Sequence, residues 1–243
     1  MSHRARVWVA LWTVYIIWGS TYLGIELAGE TIPPLFAIGT RFVAAALLMF
    51  GFTAWRRGVR VFRVAPRELA SCALVGTLLP CANALLFIAE RHVPTGLASL
   101  IIGSVPLWVV LLRTSTRDRP PLASLAGVLV GGLILLPLGL ATTQPHFGDF
   151  SGRSIGGWLY LVSFGSIIGY TAYVWLLENA PIGKVATYAY VNPVVAIALG
   201  AIVLHEALTW TIGLGAVLVL ACVAVVVRRE SMPPEAEEIG AGV

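Results

Sequence analysis

The chain has 243 residues, of which 58% are hydrophobic and 12% charged, with a mean hydropathy of +0.87 and a formal net charge of +4. A soluble domain carries about 25% charged residues. Half that share cannot coat a globule, and disorder would need far fewer apolar side chains. An ordinary soluble enzyme and a disordered chain are therefore both excluded. Three Cys exclude a disulfide scaffold. What remains is an all-α polytopic membrane protein whose basic balance (15 Arg, 1 Lys) belongs to its loops and implies no nucleic-acid partner.

A spanning helix needs ~20 apolar residues, and a charge at mid-bilayer is costly. Charge-free runs therefore measure the spans. The first, 7–25, follows Arg4 and Arg6; it is long and aromatic (Trp8, Trp12, Tyr15, Trp18), and no A-x-A site follows. It therefore reads as a retained span and not as a signal peptide. The second, 31–55, is interrupted once, by Arg41. The others are 69–89, 92–112, 120–148, 154–177, 185–205 and 207–227. Barrel strands would be shorter and would alternate. Eight transmembrane helices are predicted.

Orientation follows from Lys and Arg in the short connections. With the N-terminus inside, the inner segments hold Arg4, Arg6, Arg56, Arg57, Arg60, Arg63, Arg67, Arg113, Arg117, Arg119, Lys184, Arg228 and Arg229. The outer ones hold Arg91 and Arg153. Thirteen against two predicts both termini on the cytoplasmic side. Residues 230–243 read as a disordered polar tail, and 1–140 and 154–229 as the two parts of the membrane domain. Cys72, Cys81 and Cys222 fall inside spans as small apolar residues. Nothing has metal-ligand spacing, His205-Glu206 lacks the second His of a zinc helix, and no phosphate loop is present. No enzyme, metal or cofactor is expected.

Two stretches repeat. Pro94-Thr95-Gly96 and Pro106 recur as Pro181-Ile182-Gly183 and Pro193, at an offset of 87, and Gly127 recurs as Gly213 at 86. Spans 3–5 thus resemble spans 6–8. The unit holds three spans, an odd number, so the second copy is inverted in the membrane. Secondary transporters are built this way, with substrate near the midplane.

Trp18-Gly-Ser-Thr-Tyr22, Arg41-Phe42, Ala89-Glu90 with Val93-Pro94-Thr-Gly96, Tyr188-Ala-Tyr190-Val-Asn192-Pro193, Glu206 and Gly213 are spread over 7–228. At these residues the chain resembles the EamA branch of the drug/metabolite transporter superfamily. The resemblance implies ten helices in two inverted five-helix repeats, and export or exchange of small metabolites such as amino acids across a bacterial inner membrane. Residues 1–140 would be the first repeat and 154–229 a shortened second one. Two helices of the family pattern are missing. Losing a pair keeps parity but opens a cavity wall, so a transport-deficient chain, or a subunit completed by a second copy, is the alternative. The resemblance also suggests spans 5 and 8 as a homodimer or scaffold surface. Small residues at Ala123, Gly127 and Gly131, and at Gly165 and Gly169, permit close helix contacts.

Substrate contact needs polar groups at mid-depth, and the expected partners are the bilayer and a small molecule. Thr95, Ser99, Gly103 and Pro106 share one face. The offset places Tyr190 opposite Gly103 and Tyr170 opposite Asn83, and Ser166, Tyr170 and Tyr173 form one stripe. Each candidate has a structural alternative. Tyr190 lines a pocket or anchors a helix end, and Asn83 lines the cavity or joins helices. Asn192 contacts substrate or satisfies backbone freed by Pro193. Arg41 binds a carboxylate substrate, or pairs with Glu26 or a helix C-terminus. Trp18 stacks on substrate or packs the core. No carboxylate lies at mid-membrane, so proton coupling is not legible.

Overall fold

A computed structural model of the chain describes residues 1–58, 66–103, 122–143, 145–210, 212–218 and 221, with backbone alone at 66–76, 103, 122–131 and 143. Pro106, the basic connections at 59–65 and 113–119, the side chain of Ala123 and the surroundings of Gly127 and Gly131, and the tail 230–243 lie outside these residues.

Among the described residues all regular structure is helical: α1 (His3–Gly29), α2 (Pro34–Arg57), α3 (Pro66–Glu90), α4 (Thr95–Gly103), α5 (Leu122–Thr143), α6 (Gly152–Asn179), α7 (Ile182–Val203) and α8 (212–218). Each predicted span contains one. Four of them, α1, α2, α6 and α7, are long and apolar enough to cross a membrane. At 1.5 Å per residue the 27 residues of α1 reach about 40 Å.

Local chemistry sets several ends. Pro34 opens α2 at a position where its missing N–H is no loss. Gly58, at φ +74°, closes α2 by donating its N–H to the Ala54 carbonyl, a conformation that favours glycine. Ser151 caps α6 by accepting from the Ser154 N–H at 3.1 Å. Two helices are irregular inside. In α6, Leu161–Ile168 is a π-helical stretch. In α7, Ile182–Val185 and Tyr188–Val203 are separated at Ala186 and Thr187, where tight bonds such as Ala189 N–H to Ala186 O (3.1 Å) replace the α pattern. The break lies six residues before Pro193, and helix continues through the proline.

The chain divides into two compact units, 1–20 with 95–116 and 171–243, and 21–94 with 117–170. In the second unit α2 and α5 run antiparallel along a glycine seam. A Cβ on Gly39 would lie 2.6 Å from the Leu136 nitrogen, one on Gly139 2.6 Å from the Phe36 nitrogen, and one on Gly132 3.0 Å from the Val43 nitrogen. The C-terminal part of α1 packs on α6 in the same manner, Gly157 against Ala28 and Gly24 against Leu161. Ile25, Phe36, Ile38, Phe42, Phe87 and Leu161 form the core between these helices. At one end of this unit the connections interlock. The Thr31 N–H donates to Ser154 Oγ (3.2 Å), the Ser151 N–H to Thr31 Oγ1 (2.9 Å), and Arg153 meets Glu30 at 3.0 Å.

In the first unit α4 runs antiparallel to α7, with Gly96 against Ile197 and Gly200 against Thr95. The N-terminal part of α1 meets α7 at Gly19, whose Cβ would lie 2.6 Å from Val195 Cβ. Val7, Leu11, Val14, Leu176 and Val185 form its core.

Backbone atoms cannot move aside for a side chain, so overpacking at a seam glycine costs ~1–3 kcal/mol. Gly39→Leu and Gly139→Leu are therefore expected to lower the thermal midpoint of the detergent-solubilised protein by several degrees. Gly51, with open space around it, should accept leucine with no shift; equal effects at all three positions would refute the seam.

Candidate functional site

In the first unit a polar and aromatic cluster forms where α1, α6 and α7 meet. The Trp18 ring lies 4.9 Å from that of Tyr173 and 5.3 Å from that of Tyr188, and the two tyrosine rings are 5.7 Å apart. The contacts of Tyr188 with both neighbours are edge-to-face, the arrangement that ring quadrupoles prefer. The Tyr173 and Tyr188 hydroxyls are hydrogen-bonded. Tyr15 and Thr187 share a further hydroxyl–hydroxyl bond, and Tyr190 lies beside both. Asn192 is buried. Its hydrogen bonding assigns the amide nitrogen to the Tyr188 (3.2 Å) and Tyr15 (3.3 Å) carbonyls.

The break in α7 positions this set. Thr187, in the broken turn, donates its hydroxyl back to the Lys184 carbonyl at 2.6 Å while it meets Tyr15. A side chain that satisfies backbone in this way makes an irregular turn tolerable in a membrane. Of the residues singled out in the sequence, the cluster brings together Trp18, Tyr173, Tyr190 and Asn192. Tyr15, Thr187 and Tyr188 belong to the cluster too, although the sequence marks none of them as a substrate-contact candidate, and Thr187 carries no signal of its own. Trp18 is packed between tyrosines, and Asn192 meets the Tyr188 and Tyr15 carbonyls, not the Ala189 carbonyl that Pro193 leaves unpaired. Ser99, also in this unit, is fully buried and donates to the Gly96 carbonyl at 2.7 Å.

A carboxylate anchors the start of α4. Glu206 accepts from the Thr95 N–H and from Thr95 Oγ1, both at 2.9 Å. Its own N–H donates to the Gly200 carbonyl at 3.0 Å, and His205 before it takes φ +56°. Gly200 leaves the space: a Cβ there would lie 2.5 Å from Thr95 Oγ1 and 2.6 Å from Glu206 Oε2. A negative charge at a helix N-terminus is stabilising.

The second unit holds the other candidates. Arg41 is buried, and its Nε donates to Ser166 Oγ at 2.9 Å, so its partner is a hydroxyl and not the expected carboxylate of Glu26. Asn83 donates to the Leu79 carbonyl of its own helix at 3.0 Å. Tyr170 is half-buried next to the π-helical stretch. Among the described residues no group of His, Cys, Asp and Glu is arranged to hold a metal ion.

Four helices long and apolar enough to cross a bilayer define a class, a polytopic helical membrane protein. The chain belongs to the EamA-like transporter family, which matches residues 7–129 and again 113–228. It is 30% identical to the inner membrane transporter YedA of Escherichia coli K12 over 250 positions, which take up 79% of this chain and 80% of YedA. It is 22% identical to PagO of Salmonella typhimurium (81% and 84% covered), and 21% identical to a transporter of Archaeoglobus fulgidus (92% and 99% covered). No solved structure matches. The chain is thus a multi-pass transporter of the inner membrane, and not an enzyme.

The alignments also measure a shortfall. Of 243 residues, 79% is about 192, so about 58 of the 250 positions shared with YedA lie opposite a gap in this chain. For PagO (257 positions, 81%) and the Archaeoglobus protein (284 positions, 92%), the same arithmetic gives about 60 each. That is two spans of ~20 residues with their connections.

The clamp on α4 is testable. Charged hydrogen bonds contribute ~1.5–3 kcal/mol each. Glu206→Ala should lower the thermal midpoint more than Thr95→Ala does, and the double variant should fall short of the summed losses because the two share one interaction. Additive losses would show that the residues act separately.

Proposed function

We propose that this protein is a secondary transporter that moves small polar metabolites, amino acids and related compounds among them, outward across the inner membrane. The observation that carries this reading is the cluster of Trp18, Tyr173, Tyr188, Tyr190 and Asn192 within helices long and apolar enough to span a bilayer. Polar groups at that depth are costly and mark substrate pathways. Tyrosine and tryptophan supply faces for stacking and hydroxyl or amide groups for orientation. Family membership supports transport as the activity.

The proposed topology has eight spans with both termini inside. The positive charge bias supports it, and so do the interlocked connections around Thr31, Arg91 and Ser154, which gather three loops at one end of their unit as strict alternation requires. Spans 3–5 and 6–8 form the inverted repeat. A second reading, in which a paired copy completes the pathway, is favoured by the shortfall of about 60 positions.

Orientation is tested by cysteine labelling after Cys72, Cys81 and Cys222 are replaced by alanine. Impermeant maleimide should reach Gly148→Cys and miss Ser2→Cys in intact cells; the reverse overturns the topology. Function is tested by counterflow of labelled amino acids in proteoliposomes at several protein densities. Tyr190→Ala should weaken half-saturation by about fivefold, the worth of one ~1 kcal/mol contact, with insertion unchanged. Flux that rises with the square of protein density points to the paired form. Its absence at every density, with a two-helix insert restoring it, identifies a transport-deficient chain.

A further inference from the structure

Unit 21–94 with 117–170 buries a cation that has no counter-ion among the described residues. Arg41 is 5% exposed, and a guanidinium stays protonated in proteins. Its Nε donates to Ser166 Oγ at 2.9 Å, and its Cζ lies 5.1 Å from the centroid of Phe42. Its Nη1 is buried and has no hydrogen-bond partner, and among the described residues no carboxylate pairs with it. An arginine inside a span is costly unless something satisfies it.

The wall opposite Arg41 is not ordinary helix. Ser166 belongs to the π-helical stretch Leu161–Ile168 of α6, a geometry that recurs at functional sites. Within that stretch Gly165 lets the guanidinium lie close against the helix. A Cβ there would lie 3.2 Å from Arg41 Nη2 and 3.1 Å from Thr21 Cγ2. An unsatisfied guanidinium edge, a hydroxyl and a side-chain-free turn therefore stand together in a membrane-spanning segment.

We propose that the unpartnered Nη1 edge of Arg41 and the Ser166 hydroxyl, brought together at the glycine turn of Gly165, form an anion site that holds the carboxylate group of the transported solute. This rests on the transporter reading above and narrows its substrate to carboxylates. One fixed positive charge is neutralised by one monoanion; a phosphate dianion would leave uncompensated charge in a low-dielectric site. The fork of Nη1 and Nη2 matches two carboxylate oxygens. Ser166, which accepts from Nε, keeps its own proton to donate. Chloride would make no use of the fork.

The test uses the full chain in detergent and matched probes: the twenty amino acids and lactate, each with its carboxamide, and sodium chloride. Wild type should be thermally stabilised by one or more carboxylates, and by their carboxamides only at about tenfold higher concentration. Arg41→Gln should lose that preference, and Arg41→Lys should keep part of it, having the charge without the fork. Ser166→Ala, which retains the cation and keeps the proposal testable if Arg41→Gln does not fold, should weaken carboxylate binding about threefold and leave carboxamide binding unchanged. Four results overturn the site: no carboxylate stabilises the wild type, acid and amide stabilise it equally, Arg41→Gln binds the acid as wild type does, or chloride stabilises as well as any carboxylate. Counterflow separates the two readings. Arg41-dependent binding without flux leaves the anion site standing and removes transport; flux indifferent to Arg41→Gln does the opposite.

Discussion

Lipid gives helices no hydrophobic reason to associate, because acyl chains are as apolar as leucine. Helix contact in this protein therefore depends on how closely backbones can approach. Glycine supplies that approach at three helix pairs. Gly132, Gly39 and Gly139 meet Val43, Leu136 and Phe36, a register in which α2 and α5 advance in step and in opposite directions. Gly157 and Gly24 do the same for α6 and α1, and Gly96 and Gly200 for α4 and α7. Dispersion falls steeply with separation, so a gap of one methyl group at such a seam removes much of what holds it. The outward faces follow a different rule: Leu47, Leu48 and Phe52 on α2 are exposed because lipid is their solvent.

The two irregular helical segments stand where this packing meets polarity. A regular helix satisfies its backbone internally, which is the condition for crossing a bilayer at all. The π-helical stretch in α6 and the broken turn in α7 relax that condition locally, and each places a hydroxyl beside another polar group: Ser166 beside Arg41, Thr187 beside Tyr15. The deviation redirects side chains that a regular helix would aim elsewhere. The same deviation frees backbone groups, and Thr187 returns a hydrogen bond to one of them, the Lys184 carbonyl. Irregularity and polar side chains are thus parts of one arrangement in each unit.

The spans were legible because bilayer thickness imposes a length, and 7–25 or 154–177 cannot be read otherwise. The seams were not. The search for small residues at spacings of four found Gly165, which faces Thr21 and Arg41, but passed over Gly132 and Gly139, which sit seven apart. Arg41 was recognised as unusual, but its partner is 125 residues away and uncharged. Sequence reasoning pairs charges with charges, and a hydroxyl brought close by a π-turn leaves no trace in spacing. Trp18, Tyr173, Tyr190 and Asn192 were found by depth and by repeat offset. Their connecting members, Tyr15, Thr187 and Tyr188, sit nearer helix ends, where tyrosine has an ordinary interfacial use. Asn83 was marked by depth and by its offset to Tyr170, and its amide donates to its own helix, a local bond that spacing alone does not reveal.

The shortfall against the relatives has a physical logic. Loss of one span would reverse every later helix and expose the wrong connections to each side of the membrane, whereas loss of two leaves all directions unchanged. The family matches the chain twice, and residues 113–129 fall in both matches. In a ten-span alternation the fifth and seventh helices point the same way. One helix can therefore close a first repeat and also stand second in the next, with about two spans of sequence lost between those roles. A junction made between equivalent helices needs no new loop and no reversal. This explains how about 60 positions can be absent while similarity to the relatives still runs along most of the chain. What such a junction cannot restore is whatever surface two further spans would have covered. That surface must be covered by lipid or by another chain, and whichever covers it sets the polarity of the environment on that side.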